Sequence, residues 1–434
     1  MAPRVDPVPN SADLPPRTSV VVIGGGIAGV STALFLAQKG IPVVLCEKGQ
    51  IAGEQSSRNW GWTRVMGRDP KEIPLGIESL KLWRQMNTIT GGETGFRQSG
   101  IVYLCETQAE IAKYQEWLEK AQPFQLDSRL LAPHEIDAVL PGSARPWAGA
   151  LHTPSDGRAE PTKAVPAMAI AAQRLGATIL QRCAVRGVET KAGRIDGVVT
   201  ERGRIGCDTV VLAGGAWSRL FAGNMDLHLP LLKILGSVFR TEPIAGAPEP
   251  TAGGSNFAFR KRLDGGYSIA QRNASTSDIT PDSFRLFFDF LPNLITSWRE
   301  LRLRVGNRFI EEWRIPRSWA LDAITPFEQV RMLDPAPVAR TLAQARENLI
   351  RAFPAFRDMR EIESWGGLID VTPDAVPVIS AVPSLPGFFL AVGFSGHGFG
   401  IGPGAGKLAA DLIAGDTPAV DPAPYRYQRF LKPK

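Results

Sequence analysis

The run Gly24-Gly25-Gly26-Ile27-Ala28-Gly29 follows four apolar residues, Val20 to Ile23, and precedes a second apolar run, Val30 to Ala37. Glycines at this spacing between a strand and a helix are suited to holding a pyrophosphate. Gly24 permits the tight turn, Gly26 lets the backbone approach the phosphates, and Gly29 lets helix and strand pack closely. The N–H groups near Ile27 and Ala28 open the helix, where free donors and the positive dipole end favour an anion. Another apolar strand, Ile41 to Cys46, leads to Glu47 and Lys48. Glu47 lies 23 residues after Gly24, near the separation of about 20 expected of a ribose-binding acid. It would repel a 2′-phosphate. These residues predict a bound dinucleotide.

A nicotinamide enzyme would usually continue with alternating strands and helices. Here Gly53-Glu54-Gln55-Ser56-Ser57-Arg58-Asn59-Trp60-Gly61-Trp62 follows instead. Its hydroxyl and amide donors at Ser56, Ser57 and Asn59 are suited to line a pyrophosphate and reach a flavin ring. A second glycine-rich stretch, Gly393-Phe394-Ser395-Gly396-His397-Gly398-Phe399-Gly400-Ile401-Gly402, stands before a helix expected over 405–413. Its N–H groups can face an electron-rich atom. The apolar strand Thr209 to Ala213 stops at Gly214-Gly215-Ala216-Trp217, which fits either a close approach to a ligand or a plain turn.

The elements that must position these stretches are spread over 434 residues, enough for two or three domains. Apolar types make up 44% and charged types 21%, a globular balance. The net charge of +6 is too dilute to imply nucleic acid. Cys46, Cys105, Cys183 and Cys207 are scattered with no CxxC, so neither a metal site nor a disulfide framework is expected and a cytoplasmic location is. Residues 1–17, with five prolines, read as a flexible tail. No apolar run reaches the ~18 residues of a membrane-spanning helix.

The glycine motif at 24–29, the Ser56-Ser57-x-Asn59-x-Gly61 stretch and Gly393 to Phe399 resemble the D-amino-acid oxidase superfamily of FAD amine oxidoreductases. Within it, Ile51 to Arg58, Val198-Val199-Thr200-Glu201-x-Gly203, Ser218 to Phe221, and Ser364-Trp365-x-Gly367 leading to Pro373-Asp374 are similar to bacterial L-amino-acid deaminases. The resemblance implies an α/β protein: a Rossmann-like FAD domain with a second, mainly antiparallel substrate sheet. Segments 18–90, 155–225 and 360–434 are expected in the first, with 91–154 and 226–359 in the second. Val185, Trp217 and Gly367 join the glycines as expected FAD neighbours.

The resemblance also implies the chemistry. An α-amine with its Cα–H directed at flavin N5 delivers hydride, and water hydrolyses the imine to a 2-oxo acid and ammonia. The protein's task is then mostly positioning. Arg272, after the strand Gly266 to Gln271, matches the carboxylate-binding arginine of the deaminases, and a guanidinium pairs bidentately with carboxylate. Trp62 replaces the polar amide of the deaminases, with Arg64 as a second anchor. Trp62, Trp365 and Phe399 are expected to shape a pocket for large apolar or aromatic L-amino acids. His397 either flanks the flavin or serves structure. The tethering cysteine of sarcosine-oxidase-like relatives is absent from Gly367-Leu368-Ile369-Asp370, so FAD is expected to be non-covalent, and their oxygen-activating lysine falls near Ser268. The electron acceptor is oxygen or a respiratory-chain carrier. A D-amino-acid or secondary-amine dehydrogenase, and a flavin-binding module without turnover, are the competing readings.

Residues 284–319 hold seven Arg against four acids, with eight aromatic residues. Leu294, Trp298, Leu301, Val305 and Phe309 recur at helical spacing, Arg299, Arg302, Arg304 and Arg308 take the remainder, and Glu300 is placed to pair with Arg304. A basic amphipathic helix is expected, either against a membrane surface or packed over the substrate domain. Association into a homo-oligomer is a further expectation.

Overall fold

The computed structural model describes residues 2–273, 275–297 and 301–431. A six-stranded sheet runs in the order Val378–Ala381, Phe388–Val392, Thr209–Leu212, Val20–Ile23, Val43–Glu47, Thr178–Gln181. Its neighbours are parallel except for the pair Val378–Ala381 and Phe388–Val392. The central strand Val20–Ile23 is buried along its whole length, as the unbroken valine run requires of a strand covered on both faces. Helices Ile27–Gln38, Pro161–Arg174, Ile73–Thr90 and Gly398–Ala414 share one core with it, built on Val22, Leu34, Trp83, Met168 and Ile401. The antiparallel strands Val185–Lys191, Arg194–Thr200 and Gly203–Gly206 contribute to a core on the opposite side.

A second, ten-stranded sheet is mainly antiparallel. Its longest pairing joins Leu232–Thr241 to Glu361–Val371. The latter strand, which the sequence assigns to the FAD domain, therefore belongs to the second sheet, because its partner holds it from Leu232 to Thr241. Helix Ala339–Ala352 covers this sheet over Phe239, Phe257, Phe259, Phe353 and Phe356.

Three expectations change in detail. The glycine-rich stretch from Gly398 is the opening of helix Gly398–Ala414, not a loop before it. Glycine costs a helix about 1 kcal/mol per residue; here close packing offsets that cost. A Cβ on Gly402 would stand 2.4 Å from Ile27 Cγ1, and one on Gly406 2.3 Å from Ser31 Cβ. Residues 2–17 are not loose: Asp6 N–H donates to Thr162 O and Ser11 N–H to Ile179 O. The single amphipathic helix expected in 284–319 is replaced by helix Phe287–Ser297, strand Leu301–Arg304 and helix Arg308–Arg314. Pairing of Leu301–Arg304 with Ser275–Asp278 wins over helical periodicity. Trp298, Arg299 and Glu300 lie outside the described residues; Arg304 pairs with Asp278, at 2.5 Å.

The two sheets are tied by a buried ion pair. Arg260, in the strand Ala258–Lys261, donates to both carboxylate oxygens of Glu160, at 2.8 and 3.2 Å, and Glu160 immediately precedes helix Pro161–Arg174. Removing one partner of a buried pair leaves an uncompensated charge and costs about 3–5 kcal/mol. Arg260→Met is expected to destabilise the fold by that amount, and the double variant Arg260→Met/Glu160→Met by less. Denaturant unfolding of the three proteins checks the order.

Candidate functional site

The carboxyl ends of the central strands open into a cavity of about 1200 Å³, at the place where open α/β sheets hold their ligands. Gly24 turns there with φ +112°, and a Cβ on it would fall 2.4 Å from Ala213 O. Only glycine fits. Gly29 is needed for the packing predicted of it, since its Cβ would stand 2.0 Å from Gly24 O. Gly26, Ile27 and Ala28 line the cavity from the helix start.

Glu47 ends its strand beside them. Its carboxylate accepts the N–H of Gly25 at 2.6 Å and of Gly49 at 2.7 Å. Burial raises its pKa above the ordinary glutamate value, against the opposing Lys48 charge and the two N–H groups. Lys48 donates to Glu54 at 2.6 Å and lies over the Trp217 ring. Ser56, on the short helix Gln55–Arg58, accepts the Ile27 N–H at 2.8 Å. Asn59 braces the same loop, donating to Ser56 O and accepting the Gly61 N–H. Val185, Gly214, Gly215, Trp217, Gly396 and Gly398 are the other expected residues on the wall, and Phe399, expected at the substrate pocket, lines it too. Gln55, Leu368, Ile369, Asp370 and Phe394 also line it and were not singled out from the sequence. Gln55 Oε1 is buried without a hydrogen-bond partner, an acceptor that a ligand donor would satisfy. The glycine cradle, ribose-type acid and orphaned acceptor fit an extended dinucleotide.

Other predicted neighbours do not line this cavity. Arg58 is buried away from it, donating to Asp334 and to Gly366 O, both at 2.8 Å. Ser57 donates to Glu54 O and faces a smaller, separate cavity. Gly61 has φ +75°, and a Cβ on it would stand 2.5 Å from Ala159 O and 2.7 Å from Arg260 Nε. Gly367 backs Gln55, and Gly400 lies against Trp62 and Thr63. Ile401 is in the helical core.

Three of the residues predicted for the substrate side gather on Tyr103. The Arg272 guanidinium sits 3.6 Å from the Tyr103 ring centroid, donates to Tyr114 Oη at 3.2 Å and to Gly254 O at 3.3 Å. Trp62 packs on Tyr103 and on Trp60. Arg64 lies over the same tyrosine ring and donates to Met66 O. Trp365 and Phe399 do not join them. Trp365 donates its indole N–H to Arg58 O and packs with Val238 and Ala270, whereas Phe399 packs on Trp83. Trp60, which packs on Trp62, also packs against the Trp365 group, and Phe399 lines the FAD cavity. His397 caps the helix from Gly398, its Nδ1 2.9 Å from Glu72 Oε2. Burial and the nearby Arg68 charge hold His397 below the ordinary histidine pKa.

A profile of FAD dependent oxidoreductases, the DAO family, matches residues 19–412. The chain belongs to this family. Its cofactor is FAD, and it is an enzyme of a family acting on amines. The FAD-dependent oxidoreductase is similar to the L-amino acid deaminase of Proteus myxofaciens, whose structure holds anthranilate: 34% identity, TM-score 0.94, 99% of this chain and 96% of that one. The Proteus vulgaris L-amino acid deaminase gives 32% identity and a TM-score of 0.93 over 98% of this chain and 100% of that one. Sarcosine oxidase subunit beta from an Arthrobacter species is 26% identical over 95% of this chain and 90% of its own length. Residues of this oxidoreductase that the cradle would use to hold FAD are those at 24–28, 47, 55–56 and 214–217.

Asp156 fastens the chain beside the Tyr103 group, accepting the N–H of Val65 at 2.8 Å and of Met66 at 3.2 Å. Burial pushes its pKa up from 3.8 to about 7. A raised folded-state pKa means a contribution to stability complete below the unfolded value and lost as pH rises through about 7. Asp156→Asn should therefore shrink the difference in Tm between pH 5 and pH 8, read by thermal denaturation of the holoenzyme.

Proposed function

We propose that this FAD-dependent oxidoreductase oxidises the α-amine of L-amino acids, yielding 2-oxo acids and ammonia after hydrolysis of the imine. The observation that supports this reading most is Arg272. It has no acidic partner among the described residues, yet its guanidinium is held by Tyr103, Tyr114 and Gly254 at one end of the second sheet. A guanidinium fixed by an aromatic face and neutral acceptors keeps its charge for an incoming carboxylate. Bound FAD supplies the two-electron acceptor for hydride leaving Cα. Arg272 orients the substrate by its carboxylate, and Trp62 and Tyr103 exclude water on the same side. No side chain is required as a strong base, because a neutral amine carries its own lone pair into the imine. FAD is non-covalent in this reading, since the stretch Gly367-Leu368-Ile369-Asp370 offers no thiol or imidazole. Oxidation of a secondary amine is the second reading, favoured by the likeness to sarcosine oxidase subunit beta. The position near Ser268 carries no lysine, which bears on the choice of electron acceptor rather than on the amine; Ser268 Oγ accepts from Arg260 and Arg262.

Both enantiomers of several amino acids, together with sarcosine, are to be compared by anaerobic bleaching of the flavin. L-amino acids are expected to reduce it fastest, and preference for the D hand or for sarcosine overturns the assignment. Arg272→Gln should raise KM by roughly 10- to 100-fold, the loss of a charged hydrogen bond.

We further propose that reducing equivalents leave at a membrane surface, toward a respiratory carrier, or go to oxygen in solution. Phe284, Phe288, Val305 and Trp313 are exposed, Phe288 at 84% and Val305 at 82%. Acids engage the neighbouring cations without neutralising them: Arg219, Arg285 and Arg317 share Asp282, Arg304 and Arg308 share Asp278, and Arg308 and Lys233 share Glu312. Attachment through this face therefore combines apolar contact with a residual positive charge. Sedimentation with vesicles of phosphatidylcholine and phosphatidylserine should carry the protein down, less so at high salt, and Phe288→Ser/Val305→Ser should leave it in the supernatant. Among the described residues no helix is long and apolar enough to cross a membrane.

A further inference from the structure

Three acids, Glu47, Glu54 and Asp370, and a single cation, Lys48, stand on the wall of the cofactor cavity. Lys48 pairs with Glu54 at 2.6 Å, and its charge also favours the ionised form of Glu47. Among the described residues no cation reaches Asp370. Its Oδ2 accepts the Gly393 N–H at 2.6 Å, and the N–H groups of Phe394 and of Asp370 itself are the other groups that favour its charge. Lys233, opposite Asp370 in the paired strands, reaches Glu312 instead, at 3.1 Å. Of the titratable side chains close by in the chain, His397 is held by Glu72 and Asp374 by Arg429. Asp370 is 8% exposed. Burial pushes its carboxyl up from 3.8 to about 6, so it is charged at pH 8 and mostly neutral at pH 5.

The parallel strands fix where this acid lies. Val43–Glu47, Val20–Ile23, Thr209–Leu212 and Phe388–Val392 are consecutive neighbours running the same way. Glu47 ends the first and Gly393 follows the last, so the two stand about 14 Å apart, three strand spacings of about 4.8 Å. A dinucleotide extended across these strand ends with its ribose at Glu47 would bring its flavin half to Gly393 and Asp370. Gly396 and Gly398, at the start of helix Gly398–Ala414, line the cavity as well. A helix N-terminus favours the negative charge that FAD gains on reduction, and an ionised Asp370 opposes it.

We infer that Asp370 sets the reduction potential of the bound FAD: its carboxylate, held by Gly393 and met by no cation among the described residues, makes the cofactor harder to reduce. The effect depends on FAD alone and is the same whichever amine is the substrate.

Midpoint potentials of the purified holoenzyme, read anaerobically against reference dyes at pH 8 and pH 5, test this. In Asp370→Asn the amide oxygen keeps an acceptor for the Gly393 N–H while the charge is gone. At pH 8 the variant is expected to favour reduction at least tenfold over the parent, a rise of about 30 mV for a two-electron couple. At pH 5, where Asp370 is already neutral in the parent, the two proteins should agree to within about twofold in that equilibrium, under 10 mV. Asp370→Ser, an independent variant with a smaller uncharged side chain, should show the same pattern. An unchanged potential at pH 8 overturns the inference. So does a shift of equal size at both pH values, the mark of a merely structural role, and so does loss of FAD from both variants.

Discussion

The architecture turns on the buried contact between Arg260 and Glu160. Besides the two bonds to the carboxylate, Arg260 Nε donates to Trp60 O at 2.6 Å and Nη2 to Ser268 Oγ at 3.2 Å, and Glu160 accepts the Leu263 N–H at 2.8 Å. One side chain therefore joins the second sheet, the start of a helix in the first layer, and the loop that runs from Ser56 to Arg64. Because that loop contributes Ser56 and Asn59 to the FAD cavity and Trp62 to the group around Tyr103, the pair sets the spacing between the cavity and that group. A buried ion pair is a poor source of net stability but a good source of register, since its geometry tolerates no sliding. Gly61 carries the same constraint in the sequence, as the only residue that leaves room for Arg260.

The FAD half of the site was legible because its chemistry is local. A strand, three glycines and an acid within 30 residues specify a phosphate cradle through backbone conformation alone, and Gly24 adopts the φ that the motif demands. The resemblance named the family on those residues, and the family profile covers nearly the whole chain. What stayed hidden depends on long-range contact. Ser57 and Arg58 carry the right side chains for a cofactor loop, but a turn of helix over Gln55–Arg58 directs Arg58 to Asp334 and leaves Gln55 on the cavity wall. Nothing near Trp365 in sequence announces that its indole N–H is taken by Arg58 O. The periodicity of 294–309 is genuine as a pattern, yet a parallel pairing at Leu301–Arg304 takes its middle into a sheet. Arg68 gave no signal at all, since nothing in its neighbours in sequence announces that it will be buried with Nε and Nη1 unpartnered.

Aromatic residues are abundant around Arg272, where Tyr103 serves as a platform that two guanidinium groups share. The likeness to the Proteus deaminases runs through nearly the whole chain, at 34% identity and a TM-score of 0.94 for the Proteus myxofaciens protein.

The stretches at either end of the described chain lie against the two edges of the six-stranded sheet. The outer strand Thr178–Gln181 is met by Ser11 and Asn10: Ser11 N–H donates to Ile179 O, Ile179 N–H to Ser11 Oγ, and Gln181 N–H to Asn10 Oδ1. At the opposite edge, Tyr427 N–H donates to Ser380 Oγ of the strand Val378–Ala381. Bare strand edges are templates for adding further strands from neighbouring molecules. Early and late residues of the chain thus act as selvedges for the six-stranded sheet, and trimming either would turn a closed fold into one prone to edge-to-edge association.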